Sequence, residues 1–193
     1  MGAGLRPCAC LDVWPALSFI WQQKDALMSK KDSRVAKTNA MRELDVAGIS
    51  YEAQTYEVEE GIPQRDLGLR IANLVGADPE SQFKTLVTVT PSGGHVVCCI
   101  PVACELDLKK AAAAAGEKSL SMMHVRDLLA VCGYERGACS PVGMKRRFPT
   151  LIDETAELFD AVGISGGRKG LTLSLAPADL VSFVDATLAD ICA

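Results

Sequence analysis

Apolar residues recur at helical spacing at the start of the regular part of the chain. Val35, Met41 and Leu44, with Ala36, Ala40 and Ala47, predict a helix that stops at Gly48, a natural C-cap. Ile49 to Tyr56 alternates like a strand and carries Tyr51 and Tyr56. Leu67, Ile71, Leu74 and Val75 predict a second amphipathic helix, closed by Gly76. Phe83 to Val89 is a strong strand, Pro91 to Gly94 a turn, and His95 to Pro101 the returning partner. Helices are predicted at Leu106–Ala115, before Gly116, and at Val125–Val131, before Gly133. Short strands follow at Leu151–Ile152, Ala161–Ile164 and Leu171–Leu175, the last two flanking the turn Ser165–Gly170. A final helix is expected from about Ala178 to Asp190. Hairpins mixed with helices argue for an α+β fold with a mixed or antiparallel sheet.

The 193 residues suffice for one domain with a real core. Residues 1–33 differ from the rest: they hold both tryptophans and end in a charged stretch. They read as an irregular N-terminal extension ahead of a domain at 34–193, with Met28 in the position of a natural start. No run of 18 apolar residues occurs, so no membrane span is expected. Aromatics make up only 5%, which excludes a long base-stacking platform. The net charge of −4 argues against a protein that coats itself with nucleic acid. None of the eight cysteines forms a C-x-x-C pair, and Cys98 and Cys99 point to opposite faces of their strand. They read as reduced thiols of a cytoplasmic protein, with no metal site. Neither a Walker A motif nor G-x-G-x-x-G is present, so no nucleotide cofactor is expected.

Three segments could carry chemistry. Arg136-Gly-Ala-Cys-Ser-Pro-Val-Gly-Met-Lys-Arg-Arg147 is a loop of small residues running into a basic cluster. Its backbone N–H groups can approach an anionic ligand closely, and Pro141 stiffens it. The other reading is a solvated surface loop. Lys84 interrupts an apolar strand and shares a face with Leu86. It is either an edge lysine or a fixed cation for an anionic or carbonyl group. Ser165-Gly-Gly-Arg-Lys-Gly170 needs glycine for a tight turn, which leaves its two cations optional. Lys145, Arg146, Arg147, Arg168 and Lys169 could together form one basic patch for an anionic ligand. His95 and His124 fit no nucleophilic triad. Cys139 is a tempting nucleophile beside cations.

These pieces occur in register. Lys37-Thr-Asn-Ala-Met-Arg-Glu-Leu-Asp45, Phe83-Lys-Thr-Leu86, Cys132-Gly-Tyr-Glu-Arg-Gly-Ala-Cys-Ser-Pro-Val-Gly143 and Ser165-Gly-Gly-Arg-Lys-Gly170 together resemble the YbaK/EbsC family. Members are free-standing relatives of the editing domain of bacterial prolyl-tRNA synthetases. The resemblance covers roughly Val35 to Ala193. It implies a compact α/β fold with a barrel-like mixed sheet surrounded by helices. It implies trans-editing of mischarged Cys-tRNA(Pro), in which the substrate thiol attacks its own ester, with prolyl-tRNA synthetase as a partner. Lys84, Gly137 and Ser140 would be catalytic, and Tyr56, Thr85, Pro141, Gly166 and Gly167 would bind substrate. The chain departs from the family at Ala138 and Cys139, where members commonly have Gly-Ile, and at Cys132, where they have Thr. An essential nucleophile at Cys139 is therefore not expected. Two alternatives stand: a deacylase for another small aminoacyl group such as Ala-tRNA(Pro), or a catalytically silent module that binds tRNA or a synthetase.

Overall fold

The computed structural model describes residues 36–58 and 66–193. The expected N-terminal extension lies outside the described residues, and so does Met28. Helix α1 (Asn39–Ala47) starts where the Thr38 hydroxyl accepts the Met41 N–H at 3.3 Å. Its buried stripe is Ala40, Met41 and Leu44, and Gly48 ends it at φ +70°. Strand β1 (Glu52–Thr55) and helix α2 (Leu67–Val75) follow. Strands β2 (Phe83–Val89) and β3 (His95–Pro101) form the expected hairpin, in register from Phe83 opposite Pro101 to Val89 opposite His95.

Helix α3 (Leu108–Ala114) begins two residues later than its apolar pattern suggests. The reason is Asp107, whose carboxylate accepts the N–H groups of Lys109 and Lys110 at 2.8 and 3.1 Å. Leu106 pairs instead with Cys192 in an antiparallel bridge. Strand β4 (Ser121–Met122), helix α4 (Val125–Val131) and strand β5 (Thr150–Asp153) come next, then a 3₁₀ turn at Glu154–Leu158. Strands β6 (Val162–Ser165) and β7 (Leu171–Leu175) flank the glycine turn.

The last expected helix is corrected. Helix α5 spans only Pro177–Val184, and Asp185 then takes φ +53°. The chain turns there into strand β8 (Ala186–Ala189), which pairs in parallel with β5. Pairing with the fully buried β5 outweighs the helical propensity of this alanine- and leucine-containing segment.

Two sheets result, one of three strands in the order β1-β7-β6 and one of five in the order β4-β2-β3-β5-β8. They meet where Gln82 bridges Gly163, with the Gly163 N–H on the Ser81 carbonyl at 2.9 Å. The sheets touch at this bridge without closing, so the mixed α/β architecture holds while the barrel does not. Cys98, Ile100, Leu151 and Ile191 pack with Ala111 of α3 in one apolar cluster on the five-stranded sheet. Cys99, on the other face of β3, instead contacts the Thr85 hydroxyl at 3.8 Å. Burying one such aliphatic side chain contributes about 1.5–3 kcal/mol.

Asp153 is a charged residue inside this core, 1% exposed. One carboxylate oxygen accepts Thr155 N–H at 3.2 Å and Thr155 O–H at 2.6 Å, and the other accepts Ile191 N–H at 3.1 Å. Burial pushes the carboxyl up, but the donors on Thr155, Ile191 and Cys192 outweigh it and hold the group below its ordinary value. Its contribution is therefore complete above the unfolded-chain value of 3.8 and fades as pH falls through the lower folded value. Asp153→Asn is expected to cost about 1–3 kcal/mol at neutral pH. The deficit should shrink in acid. Urea unfolding of both proteins at neutral and acid pH measures this, and a pH-independent difference would remove the carboxylate charge from the account.

Candidate active site

β4 pairs with β2 only at Thr88 and Val89, and Met123 N–H adds one bond to the Val87 carbonyl at 3.1 Å. The first half of β2 therefore has an open edge. Hydrogen bonds from Val102 N–H to Gln82 O and from Thr90 N–H to Gly94 O fix the parity of the hairpin. On that parity Lys84 and Leu86 spend their backbone groups on β3, and Thr85 turns its own toward the open edge. A cavity of about 580 Å³ lies along it. Its walls come from β2, the start of α2, Met122 to Leu128, the Arg136–Cys139 loop, and Ile164, Ser165 and Thr172 of the smaller sheet.

Lys84, Thr85, Tyr56 and Gly137 all line this cavity. Lys84 is half-buried, and its ammonium donates to the carbonyl of Val102 at 3.2 Å and to that of Cys104. Two of its three donors are thus fixed by backbone, which leaves one to aim at a ligand. Burial pulls the ammonium below its ordinary pKa, against the opposing pull of Cys104, Glu105 and Cys192. Tyr56 is placed by its N–H on the Gly170 carbonyl at 3.1 Å, and burial pushes its phenol up.

Gly137 has φ +83°, and a Cβ there would meet only Leu67 Cδ2 at 3.4 Å and Lys169 Cε at 3.8 Å. Its requirement for glycine is conformational more than steric. Ser140 is fully buried, and its hydroxyl accepts the Val142 N–H at 3.3 Å. Neither Ser140 nor the buried Pro141 reaches the cavity wall; they shape the loop behind it. Gly166 and Gly167 also stay off the wall. Gly166 donates to Leu171 O at 2.9 Å, Gly167 takes φ +84°, and their neighbour Ser165 is the residue exposed to the cavity.

Tyr134 was not singled out from sequence, although it stands inside the Cys132–Gly143 motif. Its hydroxyl donates to Val142 O at 2.6 Å, and its ring lies against both Gly143 and Gly167. It clamps the Arg136–Gly143 loop to the glycine turn. Glu105 and Arg136 were also missed as wall residues. Cys139 does reach the wall, but its thiol is hydrogen-bonded to that of Cys132 and buried, which pushes its pKa up and keeps it protonated.

The five cations do not share one role. Lys145 donates to the carbonyls of Leu129 and Ala130 at 2.9 and 3.4 Å, capping the C-terminus of α4. Arg146 stacks over Phe148 at 4.9 Å and Arg147 over Phe183 at 5.6 Å. Lys169, beside Gly137, and Arg168 are exposed near the cavity loop. Among the described residues no cluster of His, Cys, Asp or Glu has the arrangement of a metal centre, and no helix is long and apolar enough to cross a membrane.

Comparison with known proteins places this geometry. A curated Enterococcus faecalis (strain ATCC 700802 / V583) protein named "Putative Cys-tRNA(Pro)/Cys-tRNA(Cys) deacylase EbsC" is 40% identical over 164 residues, covering 85% of this chain and 98% of the relative. A solved structure described as "a putative trans-editing enzyme for prolyl tRNA synthetase" superposes with a TM-score of 0.71 at 22% identity, over 82% of this chain and 99% of that one. The hypothetical protein APE2540 superposes with a TM-score of 0.71 at 21% identity, over 81% of this chain and all of its own. At those identities the two structures speak for the fold alone. The family model for the aminoacyl-tRNA editing domain matches residues 69–183, a span that holds Lys84, the Arg136–Gly143 loop and the glycine turn. The chain belongs to the aminoacyl-tRNA editing domain family.

Proposed function

We propose that this protein is a trans-editing deacylase that clears Cys-tRNA(Pro) in the cytoplasm. Membership of the editing family, together with a cavity that holds Lys84, is the observation that carries the reading. The name of the Enterococcus faecalis relative supports the aminoacyl group and the tRNA. The cavity exceeds the needs of one cysteinyl group, so the terminal adenosine has room to enter with it. Lys84 holds the end of the substrate by its free donor, and the Gly137 loop offers backbone N–H groups to the developing oxyanion.

The reacting thiol belongs to the substrate. Its sulfur attacks the carbonyl carbon of its own ester, a C–S bond forms, the C–O bond to the ribose breaks, and the thiol proton passes to the departing ribose oxygen. The enzyme contributes the folded conformer that makes this attack possible. Cys139, held protonated by burial and by Cys132, is a poor competitor for that role. With a net charge of −4 and few uncommitted cations at the cavity, the chain is suited to receive tRNA from a partner. Prolyl-tRNA synthetase, the enzyme named in the description of the structural relative, is the partner this reading assigns.

A deacylation screen with tRNA(Pro) carrying Cys, Ala, Ser, Pro or S-methylcysteine tests the reading. Cysteine is expected to be released fastest, and S-methylcysteine to persist because its sulfur has no proton to give up and is blocked. Fast release of S-methylcysteine would replace the thiol with water as the nucleophile. Preferred release of alanine would reassign the substrate.

A further inference from the structure

We propose that Glu105 is the anchor for the α-ammonium group of the aminoacyl ester, a proposal that rests on the deacylase reading above. Among the described residues three charged side chains line the cavity: Lys84, Arg136 and Glu105. The reacting end of an aminoacyl-tRNA carries charges of both signs, phosphate on one side of the ribose and an ammonium on Cα. Two cations and one carboxylate complement it in one way only. Glu105 is the one anion among these three, and its charge offsets the repulsion an ammonium would meet from Lys84 nearby.

The position is built for the task. Glu105 directly follows Cys104, whose carbonyl receives the Lys84 ammonium, so both charges hang from the same short loop. The Glu105 carbonyl accepts the Ala193 N–H at 2.9 Å, and the Leu106–Cys192 bridge holds the next residue. The backbone is thus fixed. The carboxylate lines the cavity from an exposed position and acts on Lys84 through its charge, without a direct salt bridge among the described residues. Anchoring the ammonium fixes Cα, and Cα carries both the thiol and the ester carbonyl that must meet. The same contact excludes chains whose amine is acylated, so peptidyl-tRNA and N-formylated aminoacyl-tRNA are spared.

The test compares wild type with Glu105→Gln, which keeps shape and removes charge. With Cys-tRNA(Pro), kcat/KM should fall about tenfold to a hundredfold, the range for a charged hydrogen bond. With N-acetylcysteinyl-tRNA(Pro), slow in wild type, the substitution should change nothing. Equal losses on both substrates would make Glu105 a structural residue or a base, and would overturn the proposal. Binding is measured separately, using 3′-alanylamino-3′-deoxyadenosine and its N-acetylated twin, which are not cleaved. Wild type should prefer the free amine and Glu105→Gln should not. Equal binding by wild type overturns the anchor. A preference retained by a wild type that fails to cleave Cys-tRNA(Pro) sinks the deacylase reading and leaves the anchor standing.

Discussion

Lys84→Ala is expected to fold and to deacylate at least about a hundredfold more slowly than wild type, the scale of losing one charged donor to a transition state. The ammonium sits in a cavity wall, is half-buried, and spends two donors on the Val102 and Cys104 carbonyls. Removing it frees carbonyls that lie near a solvent-filled cavity, so the structural cost is modest. Lys84→Met keeps the aliphatic stem and should lose the same activity with less structural cost. Lys84→Arg should also be impaired, because a planar fork cannot repeat the two carbonyl contacts of a tetrahedral ammonium. Circular dichroism melts with single-turnover assays separate folding from chemistry. Near-normal turnover in a folded Lys84→Met protein would take Lys84 out of the site.

Gly143→Val is expected to cost about 3–5 kcal/mol, from backbone strain of about 1–3 kcal/mol plus lost packing and a lost hydrogen bond. Gly143 has φ +76°, and a Cβ would lie 2.7 Å from the Tyr134 hydroxyl oxygen, 2.8 Å from the Ala40 backbone nitrogen and 3.0 Å from Ala40 Cα. Ala40 is fully buried in α1 and cannot retreat. Tyr134 would have to release the Val142 carbonyl, and the Gly143 carbonyl would lose the Asn39 amide, now 2.9 Å away. Against a total stability of about 5–15 kcal/mol, that is a large fraction. Gly48→Val is the control: its φ is +70°, but nothing lies within 4 Å of a Cβ. It should pay the conformational cost alone. If urea unfolding finds the two variants equally destabilised, crowding at Ala40 is not what reserves position 143 for glycine.

The elements legible in the sequence were those defined by local chemistry. Gly48, Gly76 and Gly116 ended helices as expected, each with φ near +70°. The β2–β3 hairpin was legible from its alternation and its Ser-Gly-Gly turn. Strand β8 was not, because its partner β5 lies over thirty residues upstream and the reversal falls on Asp185, a residue that carries no glycine signal. The same division holds for the site. Lys84 stood out as a charge in an apolar strand, and Gly137 as part of a small-residue loop. Nothing in the pattern ahead of the helix singles out Glu105, and its place on the cavity wall depends on a loop paired with residues 191–193 far along the chain. Ser140, a hydroxyl in a glycine loop, suggests chemistry in sequence; in the structure it is buried and accepts the Val142 N–H.

That pairing also sets an order of assembly on the ribosome. The segment that holds Lys84, residues 102–107, is synthesised long before residues 191–193, yet Glu105, Leu106 and Asp107 are all tied to them. Until Ile191 and Cys192 emerge, the loop that presents the Val102 and Cys104 carbonyls to Lys84 lacks its backbone partner. A nascent chain can have its β2–β3 hairpin and helix α3 in place and still be without a finished site. Competence for chemistry is acquired only once residues 191–193 have emerged, so a chain stalled before them is folded in part and without a finished site.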